Sequence, residues 1–314
     1  MTIFEFTQEI LVSPSGAALN LFSSNAGPDA IGVVQINHGL AEHAVRYKRF
    51  ARFLQPHGYH VYAHDHRGHG ASSAPDAPPK VFAASGGADK VLEDVAAVHN
   101  LIADRHGGLP VICFGHSMGG LVAMNFAFGN SERLAGLCCW NANFSAGLLG
   151  RIAQLVLAWE RFRLGSDVPS RILPKLTFQA WAKQFPDRKT DFDWLSRDED
   201  EVAKYIADPL SGWDASVSMW QDVFDLIFRG ADDANVSQLR RDLPVNLVGG
   251  ERDPATDGGS AVLNLYQRMQ KMGFSDLTFE IYRETRHESL NEINRDDIMS
   301  DFLAWAGDCV AARR

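Results

Sequence analysis

Cysteine is scarce in this chain: four occur in 314 residues, Cys113, Cys138, Cys139 and Cys309, all in or near apolar runs. They lack the paired spacing of a zinc site or of a redox motif, so buried free thiols are the expected state. Positive charge is also short. Lys and Arg number 30 against 39 Asp and Glu, a formal net charge of −9, and no basic stripe runs along the chain. Nucleic acid is thereby excluded as the main partner, because phosphate binding wants clustered cations. No uncharged apolar stretch reaches ~18 residues, and MTIFEFTQEI has no basic segment leading into an apolar one. A cytoplasmic chain is the default expectation, with an accessory export route left open. Neither H-E-x-x-H nor a glycine-rich phosphate loop with its lysine occurs, so no metal and no cofactor is expected.

What is there is a core-forming composition, 46% hydrophobic and 22% charged, enough for one large domain with an insertion or for two domains. "AIGVVQINHG", "HVYAHDHRGHG", Val111 to Phe114, "LAGLCCWNAN", "LPVNLVGGERD" and "LTFEIYRE" read as strands. Helical patterns lie between them, from about His43 to Gln55, from Asp89 to Arg105, after Ser117, and at the end to near Ala311. Such alternation makes an α/β fold, a mostly parallel sheet covered on both faces. "FEFTQEILV" and "ALNLFSS" read as an antiparallel hairpin at one edge.

Between Asn143 and about Arg229 the rhythm is helical only. "LLGRIAQLVLAWERF" carries Leu148, Leu149, Ile152, Leu155, Val156, Trp159 and Phe162 at helical spacing. The expected organisation is therefore a core of residues 1–143 and 230–314 with a helical cap inserted over 144–229. A cap placed over the strand ends would turn some of its packing residues into ligand-facing ones. The acidic run Asp198 to Glu201 reads as a solvated face or a helix start.

The stretch "VICFGHSMGGLVAMNFAFG" carries the chemistry: a buried strand ends in Gly115-His116-Ser117-Met118-Gly119 and resumes as an apolar helix. This is the nucleophile elbow, whose flanking positions must be small because the turn crowds the backbone. A serine hydroxyl needs a base to take its proton and a third group to orient that base. These should follow in the order carboxylate, then histidine, on loops after later strands. Asp253 in "GERDPATDGG" and His287 in "RETRHESLNE" fill both places. Asp257 competes, with helix N-cap as its alternative role, and Glu251 lies nearer the strand. Of the eleven histidines, His38, His43, His57, His60, His64, His66 and His69 precede the elbow and His116 lies inside it. The backbone N–H groups of Leu40, after the tight turn at His38-Gly39, and of Met118 are the expected oxyanion donors, with both side chains lining an acyl pocket.

"HGLAEHAVRYKRFARFLQPHGYHVYAHDHRGHGAS", "GHSMGG", "GERDPATD" and "RHESLNE" together resemble the monoacylglycerol lipase and lysophospholipase family of α/β-hydrolases, related to a group labelled serine aminopeptidases. The resemblance spans nearly all of the core and reaches the cap mainly at "DPLSGWDASVSMW". It implies that Ser117 attacks an ester carbonyl while His287 shuttles the proton with Asp253 behind it. It also implies that Asp65, Arg67 and Gly68 shape the loop below the site. Glu42 and His43 match the family's "GEH" segment, with Ala41 replacing its usual glycine. Asn141 and Asn143 stand at the cap entrance where the family often has Ser-Pro. Gly39, His116, Asn141 and Asn143 are the residues expected around the bound substrate. The implied substrate is a lipid-like carboxylic ester; a small-ester esterase or a peptidase with the same triad is the alternative. A ligand-binding protein without turnover would place no demand on a base and carboxylate in this order. A further reading docks the apolar cap on a membrane surface or a partner subunit.

Overall fold

The computed structural model describes residues 4–145 and 147–313; the side chain of Leu149, one of the apolar positions above, lies outside the described residues. The elements in chain order are β1 (Thr7–Val12), β2 (Ala18–Ser24), β3 (Gly32–Asn37), α1 (Lys48–Leu54), β4 (Tyr59–His64), α2 (Gly87–Arg105), β5 (Val111–His116), α3 (Met118–Phe128) and β6 (Gly136–Trp140). Then follow α4 (Leu148–Leu164), α5 (Leu173–Leu176), α6 (Phe178–Ala182), α7 (Glu199–Ala207), α8 (Val217–Ala231) and α9 (Asp233–Val236). The chain closes with β7 (Val245–Gly250), α10 (Ser260–Lys271), β8 (Leu277–Tyr282) and α11 (Arg295–Ala311). Eight strands form one sheet in the order β1-β2-β4-β3-β5-β6-β7-β8. The β1–β2 and β2–β4 pairings are antiparallel and the rest parallel, so the early hairpin lies at an edge as its sequence requires.

Alternation along the central strands splits the core in two. Cys113, Leu137, Cys139, Val245 and Leu247 pack on the face covered by α2, α3 and α10. Ile112, Phe114, Cys138, Trp140 and Val248 pack on the face covered by α1 and α11. All four cysteines are free and buried, as their apolar setting implies. The helical pattern from His43 to Gln55 is broken rather than continuous: a 3₁₀ turn over Ala44–Tyr47 leads into α1, and a second turn containing Pro56 ends at left-handed Gly58. Among the described residues no helix is long and apolar enough to cross a membrane.

Among the described residues six helices, α4 to α9, lie between β6 and β7, and the change expected at residue 229 falls inside the last turn of α8. That helix is tied to the core at both levels: Asp222 accepts from the Ala88 N–H at the start of α2 (3.2 Å), and Asn125 of α3 donates to the Leu226 carbonyl (3.0 Å). The acidic run begins α7, with the Asp198 carboxylate accepting from the N–H groups of Asp200 and Glu201.

The turn from β5 into α3 is the tightest place in the fold. A Cβ at Gly115 would sit 2.0 Å from the Gly119 carbonyl oxygen, and one at Gly119 would sit 2.0 Å from the Asn37 carbonyl oxygen. Ser117 between them is held at φ 54°, ψ −120°, a conformation that non-glycine residues rarely adopt. Gly119→Ala should therefore lower stability by about 1–3 kcal/mol through overpacking. Urea unfolding beside wild type measures it, and an unchanged midpoint would mean that the β3 end yields to the methyl group.

Candidate active site

Strand β5 stops at His116, and the left-handed backbone at Ser117 lifts its hydroxyl out of the sheet edge at the start of α3. Two later strands deliver its partners. Asp253 follows β7 by three residues and His287 follows β8 by five. The His287 Nε2 lies 2.9 Å from Ser117 Oγ, and its Nδ1 lies 2.9 Å from Asp253 Oδ1. With Nδ1 protonated, the ring donates to the carboxylate and Nε2 is free to accept from the serine. Asp253 is fully buried and His287 is 4% exposed.

A buried carboxylate survives only if its lone pairs are filled. The Asp253 Oδ2 accepts from Asn141 Nδ2 (3.1 Å) and Thr256 Oγ1 (2.9 Å), and Oδ1 accepts from the Ala255 N–H (2.9 Å). Burial alone would raise the Asp253 pKa, but the charge and hydrogen bond of His287, with the bonds from Asn141 and Thr256, hold it below the ordinary value. Burial would likewise lower His287, and Asp253 overcomes it and raises the imidazole above its usual range. His116, whose ring centroid is 4.9 Å away, is pushed down to about 4 by burial and by repulsion from His287.

The competing carboxylates fall elsewhere. Glu251 and Asp257 are exposed, and Glu251 accepts from the Glu284 N–H (2.9 Å). Asp257 is not a helix N-cap: it has left-handed backbone (φ 53°) and is followed by left-handed Gly258 and Gly259, the last of which caps α10. The two glycines carry the chain past Asp257 before the helix begins. Asp253 itself caps the short turn Pro254–Thr256.

Gly39 packs against the serine: a Cβ there would meet Ser117 Cβ at 3.3 Å and Glu42 Oε1 at 2.7 Å. Leu40 and Met118 line the same cavity as Ser117, His287, His116, Asn141 and Asn143. Neither asparagine amide is idle. Asn141 donates to Asp253 and accepts from Ser289 Oγ (2.8 Å), while Asn143 donates to the Ala255 carbonyl (3.0 Å). Below the loop, Asp65 accepts from the Ala44 and Ala71 N–H groups (2.9 Å each), and fully buried Arg67 pairs with Asp94 (2.8 Å). A Cβ at Gly68 would sit 2.3 Å from the Val81 carbonyl.

Sequence reasoning missed the frame that holds this loop. Glu42 Oε1 accepts from the Gly39 N–H (2.6 Å) and Tyr47 OH (2.9 Å), while Arg46 reaches Glu42 Oε2 (2.8 Å) and pairs twice with Glu288 (2.5 and 2.7 Å). Burial would raise Glu42, but Arg46, His116, His38 and the Gly39 N–H bring it to about 2. The insertion grips the same loop: His43 meets Asp208 at 2.6 Å, and Tyr205 OH and the Gly212 N–H both donate to the Ala41 carbonyl, at 3.1 and 2.9 Å. Only the Glu42 and Arg46 spacing was visible in sequence as an i,i+4 pair.

Above Ser117 the insertion encloses a cavity of about 460 Å³. Its walls are apolar and aromatic, with Leu121, Leu173, Phe178, Val223, Phe224 and Ile227 among them. Trp194 and Trp181 stand beside the His287 ring, at 5.1 and 6.4 Å between centroids. Among the described residues, no group of three or more His, Cys, Asp or Glu side chains is placed to hold a metal ion.

A family model described as serine aminopeptidase, S33, matches residues 28–294. The chain is 28% identical over 297 residues to the monoacylglycerol lipase of Mycolicibacterium smegmatis, covering 88% of each. It is 31% identical over 183 residues to the monoglyceride lipase of Homo sapiens, covering 57% of this chain and 52% of that one. A thermostable carboxyl esterase from Bacillus coagulans, solved with glycerol, superposes with a TM-score of 0.86 at 21% identity, over 97% of this chain and 99% of that one. A soluble variant of the monoglyceride lipase of Saccharomyces cerevisiae, solved with a substrate analogue, gives 0.75 at 17% identity, over 98% and 96%. At these identities the two structures speak for the α/β-hydrolase fold.

Replacing Arg46 by Met should cost about 3–5 kcal/mol, because Glu42 and Glu288 would then face each other buried and unpaired. The Glu42 share has a pH signature. Its pKa is lowered from 4.5 to about 2, so that stability is in place above 4.5 and lost as pH falls toward about 2. Urea unfolding of the variant at pH 7 and pH 4 checks both, since the deficit should shrink at the lower pH as the carboxyls protonate.

Proposed function

The chain belongs to the serine aminopeptidase S33 family, and from that premise we propose that it cleaves carboxylic esters of monoacylglycerol or lysophospholipid type through an acyl-enzyme on Ser117. The observation that carries the reading is the hydrogen-bonded series Ser117, His287, Asp253 opening into a large apolar cavity. In it, His287 takes the Ser117 proton as Oγ attacks the ester carbonyl, and the Leu40 and Met118 N–H groups receive the charge that develops on the carbonyl oxygen. His287 then gives the proton to the departing alcohol, and a water activated by the same ring hydrolyses the acyl-enzyme. Asp253 fixes the ring and stabilises its cation. Asn141 and Asn143 hold the carboxylate loop.

Electrostatics favours the ester over a free peptide. Recognising an amino terminus calls for an available carboxylate, and among the described residues the carboxylates lining the cavity are Glu42 and Glu288. Both are already bound by Arg46. Residues 144–229 act in this reading as a cap that supplies the apolar walls. Its helix α4 carries exposed Leu148, Leu155, Trp159 and Phe162, spaced along one face, and Ile152 of the same face also lines the cavity. That stripe supports transient contact with a lipid surface during substrate entry. The free, buried thiols are consistent with a cytoplasmic setting.

Three measurements test this. Hydrolysis of p-nitrophenyl esters and 1-monoacylglycerols from acetyl to palmitoyl should peak at medium or long chains, and a peak at acetyl would make the enzyme a small-ester esterase. Ser117→Ala should lose at least about 10⁴-fold in kcat with unchanged unfolding, and Asp253→Asn about 10³–10⁴-fold, whereas Asp257→Asn should lose little. The base must be neutral and the His287 pKa is raised above 6.5, so the acid limb of kcat/KM should have its midpoint above that value. Asp253→Asn removes the cause of the shift and should move the limb to lower pH.

A further inference from the structure

A second cavity, about 470 Å³, lies behind the segment that walls the first. Along residues 192–197 the chain faces both ways: Phe192, Trp194 and Leu195 line the catalytic cavity, while Asp193, Ser196 and Arg197 line the other. The lining of this second groove is mixed in character. From α7 come Val202, Ala203 and Ile206, of which Ile206 is 47% exposed, together with Glu199. Phe185 adds a buried ring. The same groove is lined by Arg252 and Arg286, the residues immediately before Asp253 and His287.

The charges of these two arginines are incompletely neutralised. Arg286 lies over the Phe185 ring (4.4 Å) and donates to the carbonyls of Asp193 (2.5 Å) and Ser196 (3.0 Å); among the described residues no carboxylate is in ion-pair range, and Glu292 and Asp193 act on its charge from further off. Arg252 reaches Glu284 only at 3.7 Å, with both half exposed, a pair that solvent screens. Arg197 is paired with Glu292 (2.9 Å) and so adds little net charge to the groove. Of the acids that line it, Glu199 is paired with the Lys189 ammonium, Asp193 accepts from the Lys189 and Thr190 N–H groups and keeps its charge, and Asp187 is exposed.

Apolar residues beside two guanidiniums that make no close ion pair are the complement of an alkyl chain with a single anionic head. We propose that this groove, between α7 and the two loops that carry Asp253 and His287, is a second binding site for a long-chain carboxylate. Its head meets Arg252 and Arg286 and its chain lies along Val202, Ile206 and Phe185. A long-chain carboxylate is also what ester hydrolysis releases; that choice of source rests on the function proposed above, whereas the site rests on the groove alone.

The test separates the two cavities. Ser117 is first labelled with a long-chain alkyl fluorophosphonate, which fills the catalytic cavity and is checked by intact mass. Laurate is then titrated calorimetrically into the labelled protein, with acetate and 1-dodecanol as probes of head and chain alone. One laurate per labelled chain is expected, with acetate and dodecanol at least about tenfold weaker. Arg252→Glu and Ile206→Asp, both at exposed positions, should each weaken laurate at least about tenfold while unfolding as wild type does. No laurate binding to labelled wild type, equal binding of dodecanol or acetate, or binding indifferent to both substitutions would overturn the site. Should the phosphonate fail to attach, the Ser117 reading falls instead. The groove is then judged on the unlabelled chain, where the two substitutions should remove one laurate, and an undiminished count overturns it.

Discussion

The fold turns on one steric constraint, the contact between the start of α3 and the end of β3. Gly119 lies so near the Asn37 and His38 carbonyls that no side chain fits, and Asn37 pairs in register with Gly115 on the adjacent parallel strand. The elbow and the loop after β3 are therefore one packed unit. Because α3 cannot retreat, the strain at Ser117 is held by its surroundings rather than relaxed by a local shift. The same contact brings Gly39 to the serine, so the Leu40 backbone and the hydroxyl arrive together. Placing both on adjacent central strands gives the site its rigidity, and the later strands need only deliver two side chains.

Delivering them creates an electrostatic problem, since Asp253 and His287 are both withdrawn from water. Its solution is local saturation: four donors, from His287, Asn141, Thr256 and Ala255, close on one carboxylate. Asn141 contributes with left-handed backbone (φ 51°) just past β6, held there with its side-chain amide donating a hydrogen bond to Asp253. A parallel arrangement stiffens the opposite side, where Arg46 joins Glu42, which holds the Gly39 N–H, to Glu288, which follows His287. The loop after β3 and the loop after β8 are thus held together by one guanidinium.

How much of this could be read from residues alone depended on range. The elbow was legible because its determinants, two glycines flanking a serine between apolar runs, are consecutive and their steric meaning is local. That Asp253 and His287 come together with Ser117 was legible by order, because each stands on the loop after a recognisable strand. Asp257 was misread as an N-cap because a carboxylate before a helix usually is one, and only the two left-handed glycines that follow it move the helix start to Ser260. The Arg46–Glu288 pair spans 242 residues and leaves no periodic trace. The cavity walls were hidden for the same reason. The apolar stripe of α4 marked a helix but not that Leu148, Leu155, Trp159 and Phe162 would stay exposed, while which rings converge beside His287 depends on how short helices such as α5 and α6 turn, and four or five residues carry no periodicity.

In the proposed mechanism the choice of base follows from these placements. His116 and His287 are both buried and their rings lie 4.9 Å apart. Desolvation disfavours the cation in each. They diverge because Asp253 hydrogen-bonds one ring and only acts at a distance on the other. The divergence reinforces itself, for burial and then the charge of a protonated His287 lower the His116 pKa to about 4 and keep that ring neutral above it. Eleven histidines thereby reduce to one whose proton affinity is raised where a hydroxyl can reach it. Burial, which the two rings share, cannot make that distinction; the position of a single carboxylate does.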